Sequence, residues 1–507
     1  MKSGRPQPHD PACARKPTLA STAEQIRFLL VATLFGACLL FGGGAGGLAD
    51  SLLQMLSLLL ILIAAWRCVS APILPDIPLL ILFAGILLLA AIQLAPLPVA
   101  LWQHLPGRAE LMRQMAAVGV HPDRYSLTLS PTATERALFW TLPGLAMYLS
   151  AITLTVRERM RLIAMLIVVT VLSLLLGVAQ IGSGPNSMLR FYDHEITSSA
   201  IGFFANRDHF ACMLAMAIAP TAALLAALLI EQRNRPRLAR TRLAFVFAAL
   251  VLLLIAVPMT GSRAGIALAA LAVCGSLGLL LRAGLGRRIA LAAMALGVVL
   301  FFAGLLSGIG RVLPRLELDP AVDPRWSIHA TTLAAARHFG PLGSGLGTFV
   351  AAFQAVPPAR DILPLYVNTD HAYGDYHELW LDTGWPGIVL IGVFLLWYVR
   401  RSWQVWWRPQ TQDPALQLAR AASISIAAVL AHSWLDFPLR TTAIVALFGL
   451  CCALLSRSVA SGVGSLQSTD GPGHNGRQHS RRLRSRARGI GPSAAEVSQP
   501  LIRGESD

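Results

Sequence analysis

Charged residues are scarce in this sequence, and their scarcity excludes most classes of soluble protein. Only 13% of its 507 residues are charged, whereas 55% are hydrophobic. A soluble domain carries about 25% charged residues. Apolar windows of about 17–25 residues recur along the chain, and each is long enough to cross about 30 Å of hydrocarbon. Because lipid offers backbone groups no hydrogen-bond partners, these windows are expected to be helical. The composition therefore predicts an all-α integral membrane protein.

Cysteine is scarce as well. The seven cysteines lie in the N-terminal tail or in and beside apolar windows, and none lies in the long polar stretch 307–385. The sequence contains neither a CxxC pair nor a Cys/His spacing typical of zinc sites. It therefore predicts no disulfide framework, no metal site and no cofactor.

About twelve apolar windows are long enough to be membrane-spanning helices. They divide the chain into a disordered cytoplasmic tail at 1–27, a polytopic membrane domain at 28–456 and a basic, disordered cytoplasmic tail at 457–507. Both tails are rich in Pro, Gly, Ser and Arg without apolar periodicity, which is typical of disorder. The predicted spans are 28–47, 50–66, 77–95, 137–155, 160–181, 208–230, 243–260, 264–282, 288–306, 386–403, 419–435 and 440–456.

Positive charge is abundant, but it is distributed unevenly. The net charge is +16, and with a cytoplasmic N-terminus 29 of the 42 Lys and Arg residues fall on the cytoplasmic side. This asymmetry follows the positive-inside rule and is clearest at 231–242 and 282–288. The same topology places the insert 307–385, between the ninth and tenth spans, outside the cytoplasm. The basic residues are therefore explained by topology and predict no nucleic-acid partner.

The insert 307–385 contains signals for ordered structure. Asp323 precedes a proline and resembles a helix N-cap, which predicts a helix over 324–338 with a glycine shortly after its end. A second, short helix is predicted over 376–383, ended by Gly384. The insert is therefore expected to lie as an ordered layer over the mouth of the membrane domain.

Two arginines at the outer ends of predicted spans are candidates for binding an anion. Arg263 lies in TGSRAG and Arg207 in GFFANRDHF. An arginine at membrane depth is expensive unless it is paired or hydrated, and its fork of donors matches phosphate oxygens. Two alternatives remain open. Arg263 could extend to lipid headgroups, and Arg207 could pair with its neighbour Asp208.

The segment DHAYGDYHELWLDTGWPG concentrates histidines and acids. A general base must be unprotonated near neutral pH and must reach a hydroxyl, and His371, Asp375 and His377 qualify by residue type. The alternative is the solvated face of a short helix, which is favoured for His377, Glu378 and Asp382. The segment has no HExxH or DxD spacing that would indicate a metal site.

Five motifs occur together in an order that resembles a known family. They are GFFANRDHFACML, SRAG, an R-W pair followed by GPLGSGLGTF, DHAYGDYHELWLDTGWPG and HSWLDFPLR. Over roughly 202–455 the chain is similar to the O-antigen ligase/polymerase (Wzy-type) superfamily. The resemblance implies a GT-C-like fold with a periplasmic loop at 307–385. It also implies an inverting glycosyltransferase of the bacterial inner membrane that needs neither metal nor cofactor.

The resemblance further implies particular substrates and site residues. The donor would be an undecaprenyl-diphosphate-linked glycan, and the acceptor lipid A–core or a growing polysaccharide, in contact with membrane lipids. The family histidine position is occupied by Tyr373, so the nearest histidine, His371, becomes the candidate base together with Asp375. The predicted contacts to the diphosphate or glycan are Arg263, Arg207, Arg325, Arg440, Tyr373 and Tyr376. A pairing of Arg440 with Asp436 is the structural alternative.

Other functions remain open at this point. A polytopic transporter or lipid-linked glycan flippase is the main alternative, although the loop 67–77 contains only Arg67 and the polar residues gather at one face instead of the midplane. Within the glycosyltransferases, the sequence does not separate a ligase from a polymerase or from a protein O-glycosylating enzyme.

Overall fold

The computed structural model of the chain is almost entirely helical. It describes residues 19–456, apart from 45, 71–72, 74, 122, 185, 193–198, 235, 286–287, 289–290, 293–294, 300–301, 303–305, 307–322 and 358–368. Residues 1–18 of the predicted N-terminal tail and all of the predicted C-terminal tail at 457–507 lie outside these residues. The described part 19–27 of the N-terminal tail is helical, because the first helix begins at Leu19 and not near residue 28 as predicted.

The described helices follow one another with short connections. They are α1 (Leu19–Phe41), α2 (Leu48–Ser70), α3 (Ile77–Leu94), α4 (Val99–Trp102), α5 (Arg108–Ala117), α6 (Pro131–Trp140), α7 (Leu142–Ile152), α8 (Val156–Ser183), α9 (Arg207–Asn234), α10 (Pro236–Met259), α11 (Arg263–Arg282), α12 (Pro324–His338), α13 (Phe349–Gln354), α14 (Asp375–Trp407), α15 (Pro414–His432) and α16 (Thr442–Leu455). A 3₁₀ turn, Pro438–Arg440, joins the last two helices. The strands β1 (Pro96–Pro98) and β2 (Arg124–Ser126) pair antiparallel, with Leu97 opposite Tyr125.

Within the described residues, nine helices are long and apolar enough to cross a membrane: α1, α2, α3, α8, α9, α10, α11, α14 and α15. They confirm a polytopic, all-α membrane protein. The predicted count of twelve spans is not confirmed, because most of 288–306 lies outside the described residues. The predicted span 440–456 corresponds to α16, a helix of 14 residues.

The predicted span 137–155 is wrong. It is divided between α6 and α7, which meet at Thr141. Pro143 follows within the first turn of α7, where its missing N–H and fixed φ favour a helix start over a continuous helix. The 11 residues of α7 extend about 16 Å, which is too short to cross the hydrocarbon core. Instead α7 is buried against α2 and α16.

The helix α9 lies at the centre of the described bundle. It packs against α8, α10, α11 and α15, and most of its side chains are buried. It is apolar on all sides, as expected for a helix that is surrounded by other helices. Its first residue, Arg207, therefore emerges from the middle of the bundle.

The polar segments at one end of the bundle adopt the predicted helices. The prediction of 324–338 is confirmed, since α12 starts at Pro324 and the Asp323 carboxylate accepts a hydrogen bond of 3.1 Å from the Arg325 N–H. The predicted stop at Gly384 is confirmed as an interruption within α14, where this glycine has φ 59° and ψ −146°. A Cβ at Gly384 would lie 2.0 Å from the carbonyl oxygen of Pro341, so only glycine fits there.

The glycine-rich run GPLGSGLGTF packs against α14. The N–H groups of Ser344 and Gly345 donate to the carbonyl oxygens of Leu381 and Asp382, each at 2.9 Å. The N–H of Gly347 donates to the carboxylate of Asp382, also at 2.9 Å. The run thus holds the first turns of α14 in place from outside.

Candidate active site

A polar cavity of about 500 Å³ opens at the end of the bundle where α9, α11 and α12 begin. Its charged lining residues are Arg207, Asp208, Arg263, Asp323 and Arg325. We call it the arginine cavity. It brings together three of the arginines that the sequence singled out, although they are far apart in the chain.

Three helix N-termini meet at the arginine cavity. Arg207 is the first residue of α9 and Arg263 the first residue of α11, and α12 starts one residue before Arg325. A helix N-terminus carries unpaired N–H groups and about half a positive charge. The backbone therefore adds to the positive potential of the arginine side chains, and the cavity is suited to an anion.

Two of the three arginines pair with aspartates. Arg263 lies 2.8 Å from Asp323, and Arg325 lies 3.0 Å from Asp208. The hypothesis that Arg207 pairs with its neighbour Asp208 is therefore wrong. Burial disfavours the charged form of Arg325, but the surrounding aspartates outweigh it and raise the pKa of Arg325 above its ordinary value.

Arg207 is in a different state from the other two. Its Nη1 atom is buried and has no hydrogen-bond partner among the described residues. A buried donor without a partner costs free energy, about 1–3 kcal/mol. Three arginines and two aspartates leave the arginine cavity with one unit of net positive charge. Arg207 is thus the side chain with the most to gain from a bound anion.

A second charged cluster is buried beside the first. Nη2 of Arg440 lies 3.3 Å from Glu378 and 3.4 Å from Asp382, whose side chains are 1% and 0% exposed. Two sequence-based interpretations are therefore wrong: Glu378 and Asp382 do not form a solvated face, and Arg440 does not pair with Asp436. Both acids lie on the face of α14 that Arg440 covers.

His371 belongs to this second cluster. Its Nδ1 lies 3.1 Å from Oε1 of Glu378, and the other carboxylate oxygen accepts the N–H of Ala372. Because a carboxylate only accepts, Nδ1 carries a proton and Nε2 is left for other partners. Burial opposes protonation of His371, but the Glu378 carboxylate outweighs it, and the pKa of His371 is raised above its ordinary value.

Asp375 and Tyr376 are engaged in contacts that hold the start of α14. The Asp375 carboxylate accepts hydrogen bonds from the Ser433 hydroxyl at 2.7 Å and from the Leu439 N–H at 3.3 Å. The Tyr376 hydroxyl donates to the carbonyl oxygen of Leu430 at 2.9 Å. These contacts fix α14 to α15 and to the 3₁₀ turn.

Tyr373 lies between the two charged groups. The guanidinium of Arg325 lies 5.2 Å from the centre of its ring, within cation–π range. The ring of Phe437 contacts the rings of Tyr373 and His371, with centroid distances of 5.7 Å and 4.3 Å. Tyr373 also has φ 50°, an unfavourable conformation for a residue other than glycine. The predicted site residues thus form one continuous surface, in which Tyr373 and Phe437 separate the arginine cavity from the buried cluster.

His329 is a candidate that sequence reasoning missed. It lines the arginine cavity, and its Nε2 lies 2.8 Å from the carbonyl oxygen of Tyr373. A carbonyl only accepts, so Nε2 carries the proton and Nδ1 offers a lone pair. Burial lowers the pKa of His329, which favours the neutral ring. Its position four residues after Arg325 on the predicted helix was the available signal, because such residues share a face.

A buried group at Asp436 lies below the arginine cavity. His209 and His432 approach its two carboxylate oxygens at 3.6 Å and 3.7 Å. Burial opposes ionisation, but the two histidines and Arg325 outweigh it and hold the pKa of Asp436 below its ordinary value. Among the described residues, no group of three or more His, Cys, Asp or Glu side chains is arranged to hold a metal ion.

The comparisons with known proteins agree with this picture. A search of curated proteins found no match. The family model described as O-Antigen ligase (Wzy_C) matches residues 248–392, a range that runs from α10 into α14. It includes Arg263, Arg325 and His371, whereas Arg207 and Arg440 lie outside it and reach the site through the fold. The resemblance to the O-antigen ligase-related superfamily is confirmed, and over residues 248–392 the chain is similar to an O-antigen ligase domain.

Proposed function

We propose that the protein is a membrane glycosyltransferase that transfers a glycan from an undecaprenyl-diphosphate-linked donor to an acceptor hydroxyl. The family match supports an enzyme of the O-antigen ligase/polymerase type. The observation that carries the proposal is the buried Nη1 of Arg207 without a hydrogen-bond partner, in a cavity with two further arginines and three helix N-termini.

The donor diphosphate would occupy the arginine cavity. Its oxygens would take the place that the Asp208 and Asp323 carboxylates hold against Arg325 and Arg263, because phosphate oxygens accept the same forked hydrogen bonds. Arg207 would gain the partner that it lacks. These charges would also stabilise the negative charge that develops on the diphosphate as it leaves.

The acceptor would be activated by His371. Glu378 holds Nδ1, which leaves Nε2 of His371 to accept the hydroxyl proton. The acceptor oxygen then forms a bond to the anomeric carbon while the bond from that carbon to the diphosphate oxygen breaks. Undecaprenyl diphosphate leaves with the bonding electron pair, and the configuration at the anomeric carbon is inverted.

The reaction is proposed to be metal-independent and to take place in the bacterial inner membrane, with the site facing the periplasm. The positive-inside distribution of Lys and Arg supports this orientation. Arginines and helix ends would supply the stabilisation of charge that a bound cation supplies in many other phosphate sites. Activity is therefore expected to survive treatment with a chelator such as EDTA.

The test is transfer by the purified, reconstituted protein from a lipid-diphosphate-linked oligosaccharide, with Arg207→Ala and Arg113→Ala as a matched pair. Arg113 is an exposed arginine on α5, paired with Glu110. Arg207→Ala is expected to lower kcat/KM at least 100-fold, about 3 kcal/mol of transition-state stabilisation, while Arg113→Ala retains wild-type activity.

Two results would contradict the proposal. One is a wild-type protein that moves the lipid-linked glycan across the bilayer without forming a new glycosidic bond, which would indicate the flippase alternative. The other is an Arg207→Ala variant that is folded and fully active.

A further inference from the structure

A second cavity, of about 310 Å³, lies between α3, α7, α14 and α16. Among the described residues that line it, Asp375 and Arg440 are the only charged ones, and most of the others are aliphatic or aromatic. It shares no lining residue with the arginine cavity. We call it the apolar cavity. The mechanism proposed above does not use it.

The apolar cavity is long. Asp375 and Phe394 both line it, and they are 19 residues apart on α14, or about 28 Å of helix. On the opposite wall the lining extends from Arg440 to Cys452, about 18 Å. A compact polar ligand such as a sugar requires several polar contacts along its surface. A long space with charges at one end is instead suited to an apolar chain that carries a polar head.

One wall of the apolar cavity lies at the edge of the bundle. This wall is α3, where Phe83 and Ile86 face the cavity while Leu87 and Leu88 are exposed on the outside. A helix with one face toward lipid and the other toward a cavity leaves a short path between them. A lipid chain can therefore enter from the bilayer.

The charged end of the apolar cavity adjoins the proposed base. Arg440 lines the cavity and contacts Glu378, which holds His371. The segment after α15 separates the two cavities, since Leu435 lines the arginine cavity and Leu439 lines the apolar cavity. A head group at Arg440 would thus approach His371 from the side opposite the donor diphosphate.

We infer that the apolar cavity binds the single apolar chain of a lipid-linked acceptor, with the acceptor's polar head at Arg440. The inference rests on the proposed function and narrows its substrate class. An acceptor anchored by one isoprenoid chain fits the cavity, whereas lipid A carries several acyl chains side by side. The acceptor is then a lipid-linked glycan, and the reaction is polymerisation.

The test compares Ile86→Trp, which fills the apolar cavity, with Leu88→Trp, which adds the same side chain to the lipid-facing side of α3. Two synthetic substrates separate the roles: a donor without its acceptor hydroxyl, and an acceptor whose phosphonate linkage cannot donate. Ile86→Trp is expected to raise KM for the acceptor at least tenfold and to leave KM for the donor unchanged. Leu88→Trp is expected to match the wild type.

A readout without catalysis distinguishes a failure of this inference from a failure of the proposed function. The probe is a polyisoprenyl phosphate with a diazirine in its chain. Cross-links to α3 or α14 are expected in the wild type and in Leu88→Trp, and are lost in Ile86→Trp. Cross-linking that Ile86→Trp leaves intact would overturn the inference, as would a raised KM for the donor alone. Specific cross-linking in a protein that shows no transfer would support the binding site and reject the glycosyltransferase.

Discussion

Asp208 pairs with Arg325, which lies 117 residues further along the chain, and not with its neighbour Arg207. The pair joins the first turn of α9 to the first turn of α12 and lies at the edge of the arginine cavity. It therefore fixes the position of the insert on the bundle while leaving Arg207 available. Because the two partners are largely buried, their contribution to stability can be measured.

We expect Arg325→Met to lower stability by about 1–3 kcal/mol, because it leaves Asp208 buried without its partner. Adding Asp208→Asn to that variant is expected to restore most of the loss. The measurement is the thermal unfolding midpoint in detergent. Arg113→Met, which breaks the exposed pair with Glu110, is the control and is expected to cost at most about 1 kcal/mol. Equal losses in both pairs would show that the Asp208–Arg325 pair has no special role.

The base can be identified by comparing two histidines. His371→Gln is expected to lower kcat about 10²–10⁴-fold, which is the usual contribution of a general base. His329→Gln is expected to change KM for the donor more than kcat, since His329 lines the arginine cavity. Single-turnover rates of both variants decide the matter. If His329→Gln loses the larger part of kcat, the base is His329 and not His371.

The carboxylate of Glu378 is expected to control the pH dependence of activity. It raises the pKa of His371, so its removal in Glu378→Gln lowers that pKa. A base must be neutral, and the acid limb of the profile of kcat/KM against pH is therefore expected to move to lower pH. Glu110→Gln, on the exposed face of α5, serves as the control. An unchanged acid limb in Glu378→Gln would remove His371 from the role of base.

The same pair predicts a pH dependence of stability. Because its folded-state pKa is raised, His371 binds a proton more tightly in the folded protein than in the unfolded chain. Its contribution is fully present below the ordinary histidine pKa of about 6.5, and it is lost as the pH rises through the raised pKa. The unfolding midpoint of Glu378→Gln is expected to lack this decline.

Gly384 provides a test of the connection between the glycine-rich run and α14. Gly384→Ala is expected to cost at least about 2 kcal/mol, because its φ is 59° and a Cβ would overlap the Pro341 carbonyl oxygen. Gly392→Ala, further along α14, is the control. A Cβ there meets nothing within 4 Å, so a small gain of about 0.5–1 kcal/mol is expected. Unfolding midpoints of the two variants, measured side by side, give the comparison.

Local signals in the sequence predicted local structure well. The start of α12 followed from Asp323 and the proline after it, since an N-cap acts within a few residues. The span at 137–155 failed because a hydropathy window sums apolar character and does not register that Pro143 starts a new helix. The length of an apolar run is therefore a weaker guide than the punctuation inside it.

The environment of the site acids could not be read from the sequence. Glu378 and Asp382 are four residues apart and share one face of α14, a spacing that suits a solvated face as well as a buried one. What buries them is Arg440, which the fold brings from the turn between α15 and α16. The three arginines of the arginine cavity were predicted through the resemblance, because their motifs occur in order. His329 lies in none of those motifs and was missed.

The meeting of α9, α11 and α12 at one cavity has a consequence for how this site tolerates change. Part of its attraction for an anion comes from peptide N–H groups, which no side-chain substitution removes. A variant that lacks all three arginines is therefore still expected to attract anions weakly. The arginines can then be exchanged for tuning affinity while the backbone keeps the address of the ligand. Specificity in this protein is thus layered, with a fixed component that belongs to the fold and an adjustable one that belongs to the side chains.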